Sequence, residues 1–532
     1  MDDNYLREGI YGAESVIFFK YMISWKRTFL VLGCILCLGV GIRAYGLGNN
    51  SFVADEFLDI NSAYGYFKTG EWKAWDFNHQ ESSAVNANVA RDERANIYKW
   101  QVAQLFRFLP PTEAVARSVS VFWGGVTLLA VFWSAWVLTK RREIALIATL
   151  LAAFSVSEIV FDRRLRMYAM FAPIYLALAT TLYLCFEQTL VTRWRFLRKL
   201  GERTGIHIGY AFLSGALLVI GLLIHQLTAT IIFALAMYLF WAGMMRYRET
   251  RSFQNRYFLS LGLGILILVS LRITAAGLFS SFSAGLIWFD DHYSYLGYVM
   301  EDYAHPLLVL GLMSFGVYSL VVKEHRPKAA GYLVFSLIIP IACAIWFFRR
   351  NAGPQYIFFA QSFGLILTAA GVFGLWESLR EHYPRWSRRI SWSILFGLFL
   401  LVPNFGYFFA ENNTYHETSS GGNPNYRKVF EYVKKNRLPT DVLVTRNMRN
   451  YYWSGADIPV YDLGDEIHRE KLSLSALKEI VESHESGWMV LSENDYDYVS
   501  NEAEGYMKQE MERVSNASVR GPIEVYRFDH RY

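Results

Sequence analysis

Between residues 28 and 409 the chain alternates apolar runs with short polar breaks, and most runs are about 18 to 22 residues long, the length that crosses bilayer hydrocarbon. The pattern predicts about 11 spans, at 28–45, 118–139, 144–160, 169–186, 207–224, 227–245, 257–276, 306–322, 331–347, 356–376 and 391–409. Two polar stretches interrupt it, roughly 49–115 and 410–532. In the second, "YRKVFEYVKKN" has helical spacing, "DVLVT", "IPVYDLG", "GWMVLSE" and "IEVYRF" are short β-rich runs, and "DYVSNEAEGYMKQEMERV" is a polar helix. Alternating helices and strands predict a soluble α/β domain. The expected architecture is therefore a polytopic α-helical membrane protein. Residues 1–409 form its membrane part, including the loop 49–115; residues 410–532 form the soluble domain, with "GGNP" near residue 421 reading as a linker.

Composition agrees: the 532 residues are 53% hydrophobic and only 19% charged. The mean hydropathy of +0.18 is low for a polytopic protein because the two polar stretches dilute it. The formal net charge of +5 does not point to nucleic acid, since most cations sit in short connections where they set orientation. Lys20, Lys26 and Arg27, then the breaks at 140–142, 193–203, 246–251, 323–328 and 385–389, fall on one side, which the positive-inside rule makes cytoplasmic. The loop 49–115, the turns at 163–168, His225 and 349–355, the loop 277–305 and the C-terminal region then face out. That is the topology of an integral protein of the plasma (inner) membrane, its first apolar run read as a retained signal anchor. All four cysteines lie inside apolar runs, so the polar regions have no disulfide to staple them.

Two features do not fit a passive bundle. "FVADEFLDI" sets Asp55 and Glu56 side by side where the chain leaves its first span, and "FDRRLRMY" puts Arg163, Arg164 and Arg166 on the side where cations are disfavoured. "FFRRNAGPQY" adds Arg349 and Arg350. Each has a plain reading: a helix cap for the carboxylates, snorkelling for the arginines, packing for His225 in "LIHQLTA", a surface anchor for Arg117, interfacial snorkelling for Arg272. Together they supply a carboxylate that can take a proton from a hydroxyl and cations that can stabilise a departing phosphate. An enzyme facing away from the nucleotide pool would draw on a lipid-linked donor.

In order along the chain, these residues resemble the GT-C glycosyltransferases related to protein O-mannosyltransferases and lipid A aminoarabinose transferases. "ADE" after the first span is similar to the position of that family's catalytic Asp, which implies Asp55 as base with Glu56 beside it. "ERANIYKW" resembles the loop where relatives carry a basic residue and two prolines, so Arg94 stands at the basic position. "AVARSVSVFWG" points to Arg117, "RRLRMYAMF" to Arg166 and Tyr168 with Arg163 alongside, and "LIHQLTA" to His225. The sequence departs from the family at Ala95-Asn96, where relatives have Pro-Pro, and at Gln355-Tyr356, which replaces a late Arg-Tyr turn and leaves Arg349 and Arg350 upstream.

The resemblance implies a single inverting displacement from a polyprenyl-phosphate sugar to an acceptor hydroxyl of protein, lipid or polysaccharide. Asp55 is the base, Arg94, Arg163, Arg166, Arg349 and Arg350 hold the lipid phosphate, and Tyr168 and His225 position them. The resemblance fixes no cofactor and leaves a divalent metal open, since some relatives use one and others do not; Asp162, Asp290 and Asp291 are the outward carboxylates that could ligate it. The competing reading is a transporter or flippase of lipid-linked sugars, which would place ionisable groups near mid-membrane and show paired half-repeats. No such repeat is visible in the sequence.

Overall fold

The computed structural model describes residues 24–53, 55–77, 80–82, 95–189, 194–274, 292–348, 353–383, 388–416, 424–446, 451–453, 458–465, 470–492, 495–514 and 523–530. Its helices are α1 (Trp25–Ala44), α2 (Asp55–Thr69), α3 (Asn96–Leu105), α4 (Glu113–Thr139), α5 (Arg142–Ala153), α6 (Val156–Asp162), α7 (Tyr168–Glu187), α8 (Arg195–Thr204), α9 (Ile208–Ile224) and α10 (Thr230–Thr250). They continue with α11 (Arg256–Thr274), α12 (Ser294–Glu301), α13 (Pro306–Tyr318), α14 (Pro327–Phe347), α15 (Phe358–His382), α16 (Arg388–Leu401), α17 (Tyr426–Asn436), α18 (Leu474–Ser483) and α19 (Asn501–Glu510).

Among the described residues, 8 helices are long and apolar enough to cross a membrane, or up to 10 if two bent pairs each count as one span. The chain is thus an integral, polytopic helical protein, and the described residues account for 8 to 10 of the 11 expected spans. The run 144–160 is two helices, α5 and α6, bent by 61°. Ser155 breaks it by capping α6, its hydroxyl accepting from Glu158 N–H. Asp302, far along the chain, reinforces the break by accepting the Ser157 amide at 2.6 Å and both serine hydroxyls. The run 391–409 stops as a helix at Leu401 and continues as a 3₁₀ turn at Phe405–Phe409, past Pro403.

The connections gather at two ends of the bundle. At one end Glu187 accepts hydrogen bonds from Tyr238 and Tyr257 and pairs with Lys328 at 3.0 Å, while Arg141 meets Glu324 at 2.8 Å. At the other end Arg163 reaches the Tyr45 carbonyl, and Tyr168 packs on His225.

Within the bundle, α13 and α15 approach closely enough to require glycine: a Cβ at Gly371 would stand 1.9 Å from the Leu312 carbonyl oxygen, and one at Gly316 2.0 Å from that of Leu367. Gly371→Val is expected to push the helices apart and lower stability by about 1–3 kcal/mol, seen as a lower melting temperature in detergent. Gly311→Ala, on the open face of α13, should leave it unchanged.

The C-terminal strands match the β-rich runs: β3 (Asp441–Thr445), β4 (Val460–Asp462), β7 (Ser486–Ser492), β8 (Glu512–Arg513) and β9 (Ile523–Asp529) form one sheet in the order β4-β3-β7-β9-β8. The hairpins β1 (Trp75–Asp76) with β2 (Glu81–Ser82), and β5 (Gly464–Asp465) with β6 (Glu470–Lys471), lie outside it. β3 is parallel to β4 and β7, and β9 is antiparallel to β7 and β8. Alternating side chains split the sheet between two cores. Val442, Val444, Met489 and Leu491 pack under α18 and α19, whereas Leu443, Trp488, Val490 and Val525 share one core with α17, α2 and the membrane helices.

Candidate active site

Successive helix residues point about 100° apart, so α2 sends the two carboxylates of the doublet to different places. Glu56 turns inward. It is 1% exposed and receives Arg117 in a fork, Nε to Oε1 at 2.9 Å and Nη2 to Oε2 at 2.7 Å, with the amides of Leu165 and Val53 donating at 2.6 and 3.0 Å. Burial by itself raises the Glu56 carboxyl, but Arg117 and these amides bring it below its ordinary value of 4.5. The remaining Arg117 donors go to the carbonyls of Leu47, Asn50 and Ser51. This pair therefore pins the loop 47–53, the start of α2, the turn at Leu165 and the head of α4 together.

Asp55 turns outward, its side chain 64% exposed. Arg166 bridges it and Asp59, Nη2 lying 3.1 Å from Asp55 Oδ2 and Nη1 2.9 Å from Asp59 Oδ2. Asp55, Asp59 and Ser62 stand at i, i+4 and i+7, one face of α2. Along this stripe the surroundings pass from open to closed, and below Asp59 the buried Lys99 of α3 donates to Ser62 Oγ at 3.0 Å and lies 5.5 Å from the centre of the Trp72 ring. Burial and the Asp55 charge push the Asp59 carboxyl up, against the opposing pull of Arg166 and Lys99. For Arg166, burial works against the charged form, but the two aspartates outweigh it and hold the guanidinium more firmly protonated than usual.

Tyr168 starts α7 beside Arg166, the guanidinium carbon 5.6 Å from its ring centre, and its ring packs 5.4 Å from that of His225. His225 Nδ1 accepts the Leu227 amide at 3.1 Å, so the imidazole closes the break between α9 and the next 3₁₀ turn. Arg163 points elsewhere: it donates to the carbonyls of Arg43 at 2.7 Å and Tyr45 at 2.6 Å at the end of α1, and to Thr414, while stacking on Tyr415. Asp162, offered by the sequence as a metal ligand, is buried against Arg43 at 2.6 Å. Arg94, Arg349, Arg350, Asp290 and Asp291 lie outside the described residues. Among the described residues, no three His, Cys, Asp or Glu side chains are grouped to hold a metal ion.

Sequence reasoning missed two members of this constellation. Asp59 carried a usable signal, its i+4 spacing from Asp55. Lys99 in "IYKWQ" was not singled out.

The C-terminal region grips the loop that presents Asp55. Glu113, the first residue of α4, accepts from Arg427 Nε at 3.0 Å and from the Tyr452 hydroxyl at 2.7 Å, and that hydroxyl accepts the Phe52 amide at 2.6 Å. Phe57 packs edge-on against Tyr426 and Tyr452. Tyr452→Phe removes both hydroxyl bonds and is expected to weaken the grip by about 1–3 kcal/mol. Faster amide hydrogen exchange in peptides covering 47–57, with β3 and β7 still protected, is the expected reading.

These elements define a membrane protein of the GT-C fold: a helical bundle, a first loop carrying an aspartate at a helix start, and a soluble α/β region closing over it. Among solved structures, ArnT from Cupriavidus metallidurans in the apo state aligns with a TM-score of 0.57 at 12% identity, over 95% of this chain and 98% of its own. ArnT bound to undecaprenyl phosphate aligns at 0.55 and 12% identity, over the same shares. The archaeal oligosaccharyltransferase AglB from Archaeoglobus fulgidus, solved with an inhibitory peptide and a dolichol-phosphate, aligns at 0.58 and 11% identity, over 92% of this chain and 73% of its own. At these identities the likeness establishes the fold. No family model and no curated protein matches the sequence.

Proposed function

We propose that the chain is a membrane glycosyltransferase that moves a sugar from a polyprenyl-phosphate donor to an acceptor hydroxyl, at the membrane face that the positive-inside rule makes extracytoplasmic. One observation carries the reading: an exposed carboxylate, Asp55, paired with a guanidinium, Arg166, that a second and buried carboxylate, Asp59, holds in place. The fold supports the donor class, since similar structures have been solved with undecaprenyl phosphate and with a dolichol-phosphate.

Asp55 accepts the proton of the acceptor hydroxyl as its oxygen attacks the anomeric carbon from the face opposite the phosphate. The bond from that carbon to the phosphate oxygen breaks, configuration inverts, and the polyprenyl phosphate leaves with the electron pair. Arg166 can exchange its exposed partner, Asp55, for a phosphate oxygen while keeping Asp59. The exchange neutralises the leaving group and frees Asp55 from its ion pair with Arg166. Lys99, at the closed end of the stripe, adds a second positive charge near the phosphate. Tyr168 and His225 wall the site. Arg117, Arg163 and Glu56 act as positioning residues, their polar atoms directed at the loop, the end of α1 and one another.

The test is transfer from synthetic polyprenyl-phosphate sugars in membranes containing the protein, alongside a comparison of cell-surface glycans with and without the gene. Loss of one glycan sugar on deletion, and transfer of that sugar in membranes, is expected. Unchanged glycans together with no transfer from any such donor would overturn the reading.

A further inference from the structure

The helix α8 lies at the end of the bundle opposite Asp55, and its geometry is set locally. Gly205 ends it with φ +68, a left-handed conformation suited to glycine, and the Gly205 carbonyl accepts Arg256 Nη1 at 3.2 Å. His207 then caps α9, its Nδ1 accepting the Tyr210 amide, while its own amide donates to the Cys185 carbonyl at 2.8 Å. The result is an 82° bend between α8 and α9. Because α9 is an apolar 17-residue segment running along the bundle to His225 beside Tyr168, a helix bent from it by that angle lies close to the membrane plane.

On the helical wheel α8 divides cleanly. Trp194, which caps it, and Phe196, Leu197, Leu200 and Gly201 occupy one half; Arg195, Arg198, Lys199 and Arg203, with the single carboxylate Glu202, occupy the other. Trp194 and Phe196 are 73% and 75% exposed. An in-plane helix with largely exposed aromatics on one side and four cations on the other matches one environment, the boundary between acyl chains and negatively charged headgroups.

We propose that α8 is a binding site for anionic phospholipid in the leaflet opposite the Asp55 face, with Trp194 and Phe196 sunk at headgroup level and Arg195, Arg198, Lys199 and Arg203 contacting lipid phosphates. It is independent of the reaction at Asp55. The bend holds the site in register with the bundle: Arg256, which anchors Gly205, also pairs with Glu187 at 3.5 Å.

Native mass spectrometry of the full chain, released from detergent with equal phosphatidylglycerol and phosphatidylcholine, tests it. The intact protein should retain phosphatidylglycerol over phosphatidylcholine by at least about fivefold, the effect of a single basic residue at an anionic surface. Replacing Arg195, Arg198, Lys199 and Arg203 together by Gln should abolish that preference, and Trp194→Gln with Phe196→Gln should reduce it at unchanged charge. Equal retention of the two lipids by the unaltered chain overturns the proposal, a result that needs no variant to fold. A preference that survives the fourfold substitution assigns the lipid to another basic surface and overturns it equally.

Discussion

Asp55→Asn is expected to cut sugar transfer by about 10²–10⁴-fold, the range general-base catalysis contributes, with little change in melting temperature. The reasoning rests on how differently the two aspartates of the stripe are held. Asp55 is mostly exposed and has one charged partner among the described residues, whereas Asp59 is buried beside Arg166 and under the influence of Lys99. Asparagine keeps the size of Asp55 and a carbonyl oxygen for Arg166 to donate to, so the guanidinium stays where it is. What is lost is the proton acceptor. Single-turnover transfer from a polyprenyl-phosphate sugar, measured beside donor binding, separates the effects: turnover should fall while donor affinity holds or rises, since Arg166 loses a competing anion. Wild-type turnover in Asp55→Asn would remove Asp55 from the base role. Should Asp59→Asn alone abolish turnover at intact donor affinity, the role passes to Asp59.

Much of this site was legible as residue types and much less as contacts. The aspartate at the end of the first span and the arginines in "FDRRLRMY" stood out because each broke a local rule, and the structure joins Asp55 to Arg166. Arg117 and Arg163 stood out equally, yet among the described residues their hydrogen bonds go to protein carbonyls or Glu56. A guanidinium that caps backbone and one that meets a ligand have the same one-letter signature. What separates them is the position of carbonyls tens or hundreds of residues away, as with Arg163 and Thr414. Lys99 was missed for the converse reason: nothing in "IYKWQ" reveals that the ammonium is buried against Ser62.

The fold shows the same division. Strands announced themselves by short β-branched runs and appear as β3, β4, β7 and β9, because alternation is a local property. Hydropathy placed the spans but is blind to their internal geometry. The apolar run 144–160 hides a 61° break that Ser155 and the distant Asp302 create, and the run 391–409 hides the end of its helix at Leu401. The grip of Tyr452 and Arg427 on Glu113 joins residues more than 300 positions apart. Sequence pattern alone could place these residues in two separate regions, but not in one shared core.

Glu56 was read from the sequence as Asp55's catalytic neighbour; the geometry predicts that its loss shows first in stability. Glu56→Ala leaves Arg117 as a buried cation without its carboxylate partner, and breaking one side of a buried pair costs about 3–5 kcal/mol. The expected reading is a large drop in melting temperature and loss of hydrogen-exchange protection across 47–57 and the head of α4. Replacing both partners, Glu56→Gln with Arg117→Met, should be milder than Glu56→Ala alone, because no unpaired charge then remains. The pH dependence has a definite sign. With its folded value held below 4.5, Glu56 contributes stability that is complete above that ordinary value and is lost as pH falls through the lowered folded one. The wild type should therefore shed stability across that acid window, and Glu56→Gln, less stable at neutral pH, should lack that part of the acid slope. A Glu56→Gln protein with wild-type stability and an unchanged acid slope would show that the fork to Arg117 is not what holds the Asp55 loop.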